Sequence, residues 1–115
     1  MPREAKKAKV QEMEDILCSY HAEMCKVFSH PGRIAILNLL QDAEMTVSEL
    51  ARETKMSMGN LSQHLSMMKQ RHVLESRKEG TNIYYRLANP KISEAFSLIR
   101  EVLIEQLKKD AALVK

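Results

Sequence analysis

The sequence predicts a mainly α-helical domain with one small β-hairpin, and three observations predict it. Apolar residues recur at helical spacing in two long seams, one from Val10 to Val27 and one from Ile92 to Leu107. Between them lie short amphipathic stretches, one opening on the capping-box sequence Thr46-Val47-Ser48-Glu49. After His72 the period changes to two: Ile83, Tyr85 and Leu87 alternate with Tyr84 and Arg86.

Each element follows from local chemistry. Residues 1–9 (MPREAKKAK) read as a disordered basic tail ahead of a domain spanning residues 10–110. The first seam is Val10, Met13, Leu17, Tyr20, Met24 and Val27, a heptad-like stripe that suits lengthwise packing on another helix. Pro31 at a first helical position opens a second helix through Leu40, with Ile34, Leu37 and Leu40 as its buried stripe. Thr46 caps a short third helix that ends near Lys55. Ser57 caps a fourth, whose sequence includes GNLSQHLSMMKQ and whose buried stripe is Met58, Leu61, Leu65 and Met68. Leu74–Glu79 and Asn82–Leu87 are the hairpin strands, with Gly80 in the turn. Asn89-Pro90 opens the last helix, with Ile92, Phe96, Ile99, Leu103 and Leu107 along one side.

Composition narrows the class. At 115 residues the chain suits one domain. Aromatics are only 4 %, so leucine, isoleucine and eight methionines must fill the core. No apolar run is long enough to span a membrane, and the basic N-terminus lacks the apolar stretch of a secretory signal. Two cysteines are too few for a disulfide framework, which points to a cytoplasmic protein. The net charge of +3 is mild, but its distribution is uneven. Residues 55–86 carry six basic side chains against two acidic ones, for +4; residues 31–54 carry two against four, for −2. Positive charge therefore gathers around the fourth helix and the hairpin, as on a surface facing phosphates.

The fourth helix is unusual. At about 100° per residue, Gly59, Gln63, Ser66 and Gln70 point away from its apolar stripe, Asn60 and Met67 lie on one shoulder, and Ser62 and His64 flank the edges. An ordinary surface helix carries lysine and glutamate there; this one carries short, uncharged hydrogen-bonding groups. Two short helices joined by a tight turn, followed by a basic hairpin, form a winged helix-turn-helix.

In that order of elements the chain resembles the ArsR/SmtB family of repressors. The resemblance is carried by VFSHPGRIAILNLL, TVSELARETKMSMGNLSQHLSMMKQRHVLESRKEG and NIYYRL, from about Cys25 to Leu87. It implies a homodimer, held by the first and last helices, that represses an operon until an effector releases the DNA. The two long seams agree with a dimer; a helical pair within one chain is the alternative. A major-groove reader needs groups that donate and accept at base edges, and amides do both. Gln63 and Asn60 suit adenine edges, Ser62 is less selective, and His64 is a candidate for a base or a phosphate. Ser57, at the start of the helix, joins this set. Lys69 and Arg71 suit phosphates, whereas His72 reads as structural. Arg77, Lys78, Thr81 and Asn82 resemble the wing that touches the minor groove, although many relatives carry arginine where this chain has Thr81.

The effector is less legible. Metal-sensing relatives often carry a Cys-x-Cys pair near the third helix, which here reads TVSELA, or histidine-containing sets on the last helix, which here has no histidine. What remains is Cys18, His21 and Cys25 on the first helix. Their spacing aligns them beside the seam, where neighbouring pairs could share a soft metal ion. Cys18 and Cys25 are about 10.5 Å apart along one helix, too far for an intrachain disulfide. Packing thiols, redox sensing and soft-metal sensing all stay open, and no cofactor is required. A winged-helix module for protein–protein contact would not need the amide-rich face or basic wing. An enzyme built on His21 and Cys25 has no supporting motif.

Overall fold

The computed structural model describes residues 2–114. Helix α1 (Pro2–Cys25) leads into a short 3-10 turn over Lys26–Ser29 and then into α2 (Pro31–Leu39). A two-residue strand β1 (Met45–Thr46) precedes α3 (Val47–Thr54) and α4 (Met58–Gln70). Strands β2 (Leu74–Glu79) and β3 (Asn82–Leu87) follow, and α5 (Pro90–Val114) ends the described chain.

Local capping sets these boundaries. The His30 imidazole Nδ1 accepts the Gly32 N–H at 2.9 Å, and Pro31 fills the first helical position of α2. Thr46 and Glu49 make the expected reciprocal capping box on α3. The C-terminus of α4 is a Schellman motif: the His72 N–H reaches the Lys69 carbonyl and the Val73 N–H reaches the Met68 carbonyl. His72 takes the left-handed position at φ 63°. Asn89 caps α5, its Oδ1 accepting the Lys91 N–H at 2.9 Å.

The core lies between α2, α3, α4 and the base of the wing. Val27, Ile36, Leu50, Leu61, Leu65 and Met68 are all at most 1 % exposed. Truncating a leucine of this kind to alanine costs about 2–5 kcal/mol. Phe96 brings the first turns of α5 into the same cluster. Ser93 Oγ donates to the Gln41 amide oxygen at 2.6 Å, tying α5 to the end of α2.

The sheet has three strands in the order β1-β3-β2, all antiparallel. Glu79 pairs with Asn82 across a two-residue Gly80-Thr81 loop. Only Gly80 has positive φ there, at 62°, as in a type II′ turn. Strand β1 is additional to the expected hairpin. Met45 and Thr46 pair with Tyr85 and Tyr84, so the residue that caps α3 also stitches the wing to the helices.

Several expectations need correction. Helix α1 starts at Pro2 rather than at Val10, so residues 2–9 are helical and not a disordered tail; Met1 lies outside the described residues. Pro2 suits a first helical position, and the Arg, Glu, Ala and Lys that follow are strong helix formers. Helix α5 continues past residue 110 to Val114. Met58 is not in the buried stripe of α4: it sits in the first turn and is 53 % exposed, and His64 takes the fourth inward place. In α2, Ile36 is fully buried while Ile34 is only partly so.

The outer helices project. None of the described residues of α1 is buried, and Val10, Met13, Leu17 and Tyr20 remain exposed on it. On α5, Ile99, Val102, Leu103 and Leu107 are exposed too. The radius of gyration is 18.4 Å, against roughly 13 Å for a compact chain of about this length. No described helix is long and apolar enough to cross a membrane.

Candidate nucleic-acid interface

Helix α4 presents the face in question. Ser57 Oγ accepts the Asn60 N–H at 3.2 Å, which fixes where the helix begins. Leu61, His64, Leu65 and Met68 turn inward. That rotation leaves Asn60, Ser62, Gln63, Ser66 and Gln70 exposed on the outer side, with no charged group among them. Asn60 and Gln63 stand one turn apart, spaced for neighbouring contacts on a single partner.

His64 departs from its assignment. It is only 8 % exposed and belongs to the inward face, so it cannot reach a base or a phosphate from this position. Its ring lies 4.7 Å from that of His30, tilted by 50°, and its Nδ1 is 3.5 Å from Arg33 Nη1. Burial, followed by the His30 and Arg33 charges, holds the imidazole below the usual histidine pKa.

The basic residues divide into free and occupied. Lys69 Nζ donates to Ser76 Oγ at 2.7 Å, bracing the end of α4 against β2 while its charge stays exposed. Arg71 turns instead towards α1, its Nε 3.3 Å from a Glu23 carboxylate oxygen. Lys26 first and Arg71 second hold that carboxylate below the usual range. Arg77 is the most occupied. Its Nε and Nη2 grip both oxygens of Glu44 at 2.9 and 2.7 Å, and its Nη1 meets Glu79 at 2.6 Å. The guanidinium also lies 4.4 Å over the Tyr84 ring. Its hydrogen bond to Glu44 lowers the pKa of that carboxyl. Arg77 therefore clamps the wing to the loop before β1, and most of its charge is spent there. The structure does not bring Arg71 and Arg77 to the outer face of α4 as free cations.

At the wing tip Lys78, Thr81 and Asn82 are exposed, and Lys78 has no side-chain partner among the described residues. Lys55 was missed as a candidate. It is exposed in the left-handed position (φ 58°) between α3 and α4, two residues before the Ser57 cap. A lone lysine in an inter-helix turn becomes a candidate for phosphate contact once the turn is placed.

Cys18 and Cys25 are both exposed on α1, as is His21. Among the described residues, no three or more His, Cys, Asp or Glu side chains gather as a metal site.

Comparison with known proteins agrees with this geometry. Residues 30–75 match the family described as bacterial regulatory protein, arsR family. An uncharacterized HTH-type transcriptional regulator of Mycobacterium tuberculosis is 34 % identical over 95 residues, covering 82 % of this chain and 83 % of the relative. The transcriptional repressor PagR of Bacillus anthracis is 32 % identical over 82 residues, covering 70 % of this chain and 82 % of PagR. The solution structure of a homodimeric winged helix-turn-helix DNA-binding domain from Mycobacterium bovis superposes with a TM-score of 0.79 at 31 % identity, covering 84 % of this chain and 89 % of that one. With its helix-turn-helix, its wing and relatives that are transcriptional regulators rather than enzymes, the chain belongs to the ArsR family of transcriptional regulators.

Proposed function

We propose that this protein is a homodimeric repressor that binds operator DNA, with α4 in the major groove and the wing beside it. The observation that carries the reading is the outer face of α4: exposed Asn60, Ser62 and Gln63, uncharged and able to donate and accept. Lys55, Lys69 and Lys78 supply phosphate contacts around it, giving affinity without sequence preference. Thr81 and Asn82 face the backbone or minor groove at the wing tip. The exposed apolar seams of α1 and α5 supply the dimer surface, since a row of large exposed apolar side chains along each of two helices is uncommon on a monomer. A dimer places two copies of α4 on successive half-sites about one helical turn apart. For release from DNA, the exposed thiols on α1 favour an oxidant or thiol-reactive species over a divalent metal.

The test is a gel-shift series on fragments tiled across the DNA upstream of the protein's own gene. One fragment should bind at nanomolar protein in the presence of excess random duplex, with a two-chain stoichiometry. Equal, weak binding to every fragment would reject operator recognition and favour a module for protein contact.

A further inference from the structure

The inward face of α4 carries one polar side chain, His64, in a place that periodicity would give to an apolar residue. Its Nδ1 faces Arg33 Nη1 at 3.5 Å. A guanidinium only donates, so Nδ1 is the acceptor and the ring proton sits on Nε2. That Nε2 is buried and has no hydrogen-bond partner among the described residues. Neither neighbour is free to adjust. Arg33 donates from Nε to the Val27 carbonyl at 3.0 Å and from Nη2 to the Lys26 carbonyl at 2.8 Å. His30 is held by its cap on Gly32. Arg33 and His30 are the charged and titratable groups that face the imidazole, both from α2 and its cap. No carboxylate pairs with it among the described residues.

We propose that His64 is a positioning residue for the reading helix, and that its protonation loosens α4 from α2 and makes DNA binding acid-sensitive. The added proton goes to Nδ1, the remaining lone pair. It converts an acceptor facing a donor into two donors, and sets a second cation beside a guanidinium where no anion compensates. Because Arg33 is anchored to the turn before α2, relief comes from movement of α4. Gln63, the adjacent residue, moves with it.

The sign follows from linkage. The folded state holds His64 below its unfolded pKa, so the stability of docked α4 is fully present above about pH 6.5 and declines as pH falls below it. This runs against the general trend, in which acidification adds positive charge and strengthens phosphate binding.

The experiment compares wild type with His64→Gln, which cannot acquire the charge. Thermal unfolding is measured without DNA at about pH 8 and about pH 5.5, the range in which histidine titrates. Wild type should lose roughly 4 °C more than the variant over that interval; equal losses overturn the proposal. The DNA arm rests on the operator reading above. On a fragment that binds at the higher pH, wild-type affinity should fall about fivefold relative to the variant. Equal changes in both proteins overturn the positioning role. If no fragment binds at either pH, the operator reading fails while the unfolding result still decides acid sensitivity. Should His64→Gln not fold, NMR titration of the wild-type imidazoles decides instead. His64 should protonate below the ordinary histidine range; protonation within that range overturns the proposal.

Discussion

His72 holds a left-handed backbone at the end of α4, where glycine is the usual occupant. A side chain there costs about 1–2 kcal/mol in an L-residue. His72→Gly should therefore raise stability by about 1 kcal/mol, read as a higher urea midpoint at unchanged slope; a lower midpoint would mean that the imidazole makes a contact worth more than the strain. The thiols are a second single-residue matter. Two α1 helices meeting antiparallel about an axis near His21 and Ala22 would bring Cys18 of one chain opposite Cys25 of the other, a link that the intrachain spacing forbids. Oxidant should then release DNA from wild type but not from a Cys18→Ser, Cys25→Ser variant, while zinc should act on neither. Identical release of both proteins in gel shifts would leave the cysteines as packing residues.

At the scale of elements, the wing divides its cations. Arg77 is spent on Glu44 and Glu79, whereas Lys78 is exposed with no side-chain partner among the described residues. Lys78→Ala should weaken all DNA similarly and lower the salt slope by about one. Arg77→Ala should change the slope much less and act mainly by loosening the wing. Equal slope changes in anisotropy titrations would mean that Arg77 leaves Glu44 to meet DNA. The sequence shows a basic hairpin but not this division, because Glu44 lies thirty-three residues from Arg77 and only the sheet brings them together. Strand β1 was hidden for a related reason: two residues leading into a helix cap carry no period of their own. The caps at Thr46, Ser57 and Asn89 were legible because capping is local chemistry. The outer face of α4 was legible through helical spacing. His64 is not legible as a core residue because it lies at the boundary of that face, where the orientation of α4 against α2 decides between reader and core.

At the scale of the whole molecule, one chain leaves much of its apolar surface uncovered. Its core unites α2, α3, α4 and the wing base, while α1 and α5, each about 36–38 Å long, extend beyond it. Leu17→Glu or Leu103→Lys should give monomer or unfolded chain, since either leaves an unpaired charge among apolar neighbours in the dimer. Analytical ultracentrifugation checks this, and a monomeric wild type at micromolar concentration would contradict it. On the proposed function, such a dimer reads DNA sequence through α4. The most direct test is the affinity ratio between the tightest upstream fragment and its scrambled version, measured by fluorescence anisotropy at fixed salt for wild type and Gln63→Ala. Wild type should prefer the fragment by at least about a thousandfold, and Gln63→Ala should reduce that ratio by about 1–3 kcal/mol, with discrimination lost at a single base position. An unchanged ratio and unchanged base preference in Gln63→Ala would contradict the assignment of α4 as the reading helix.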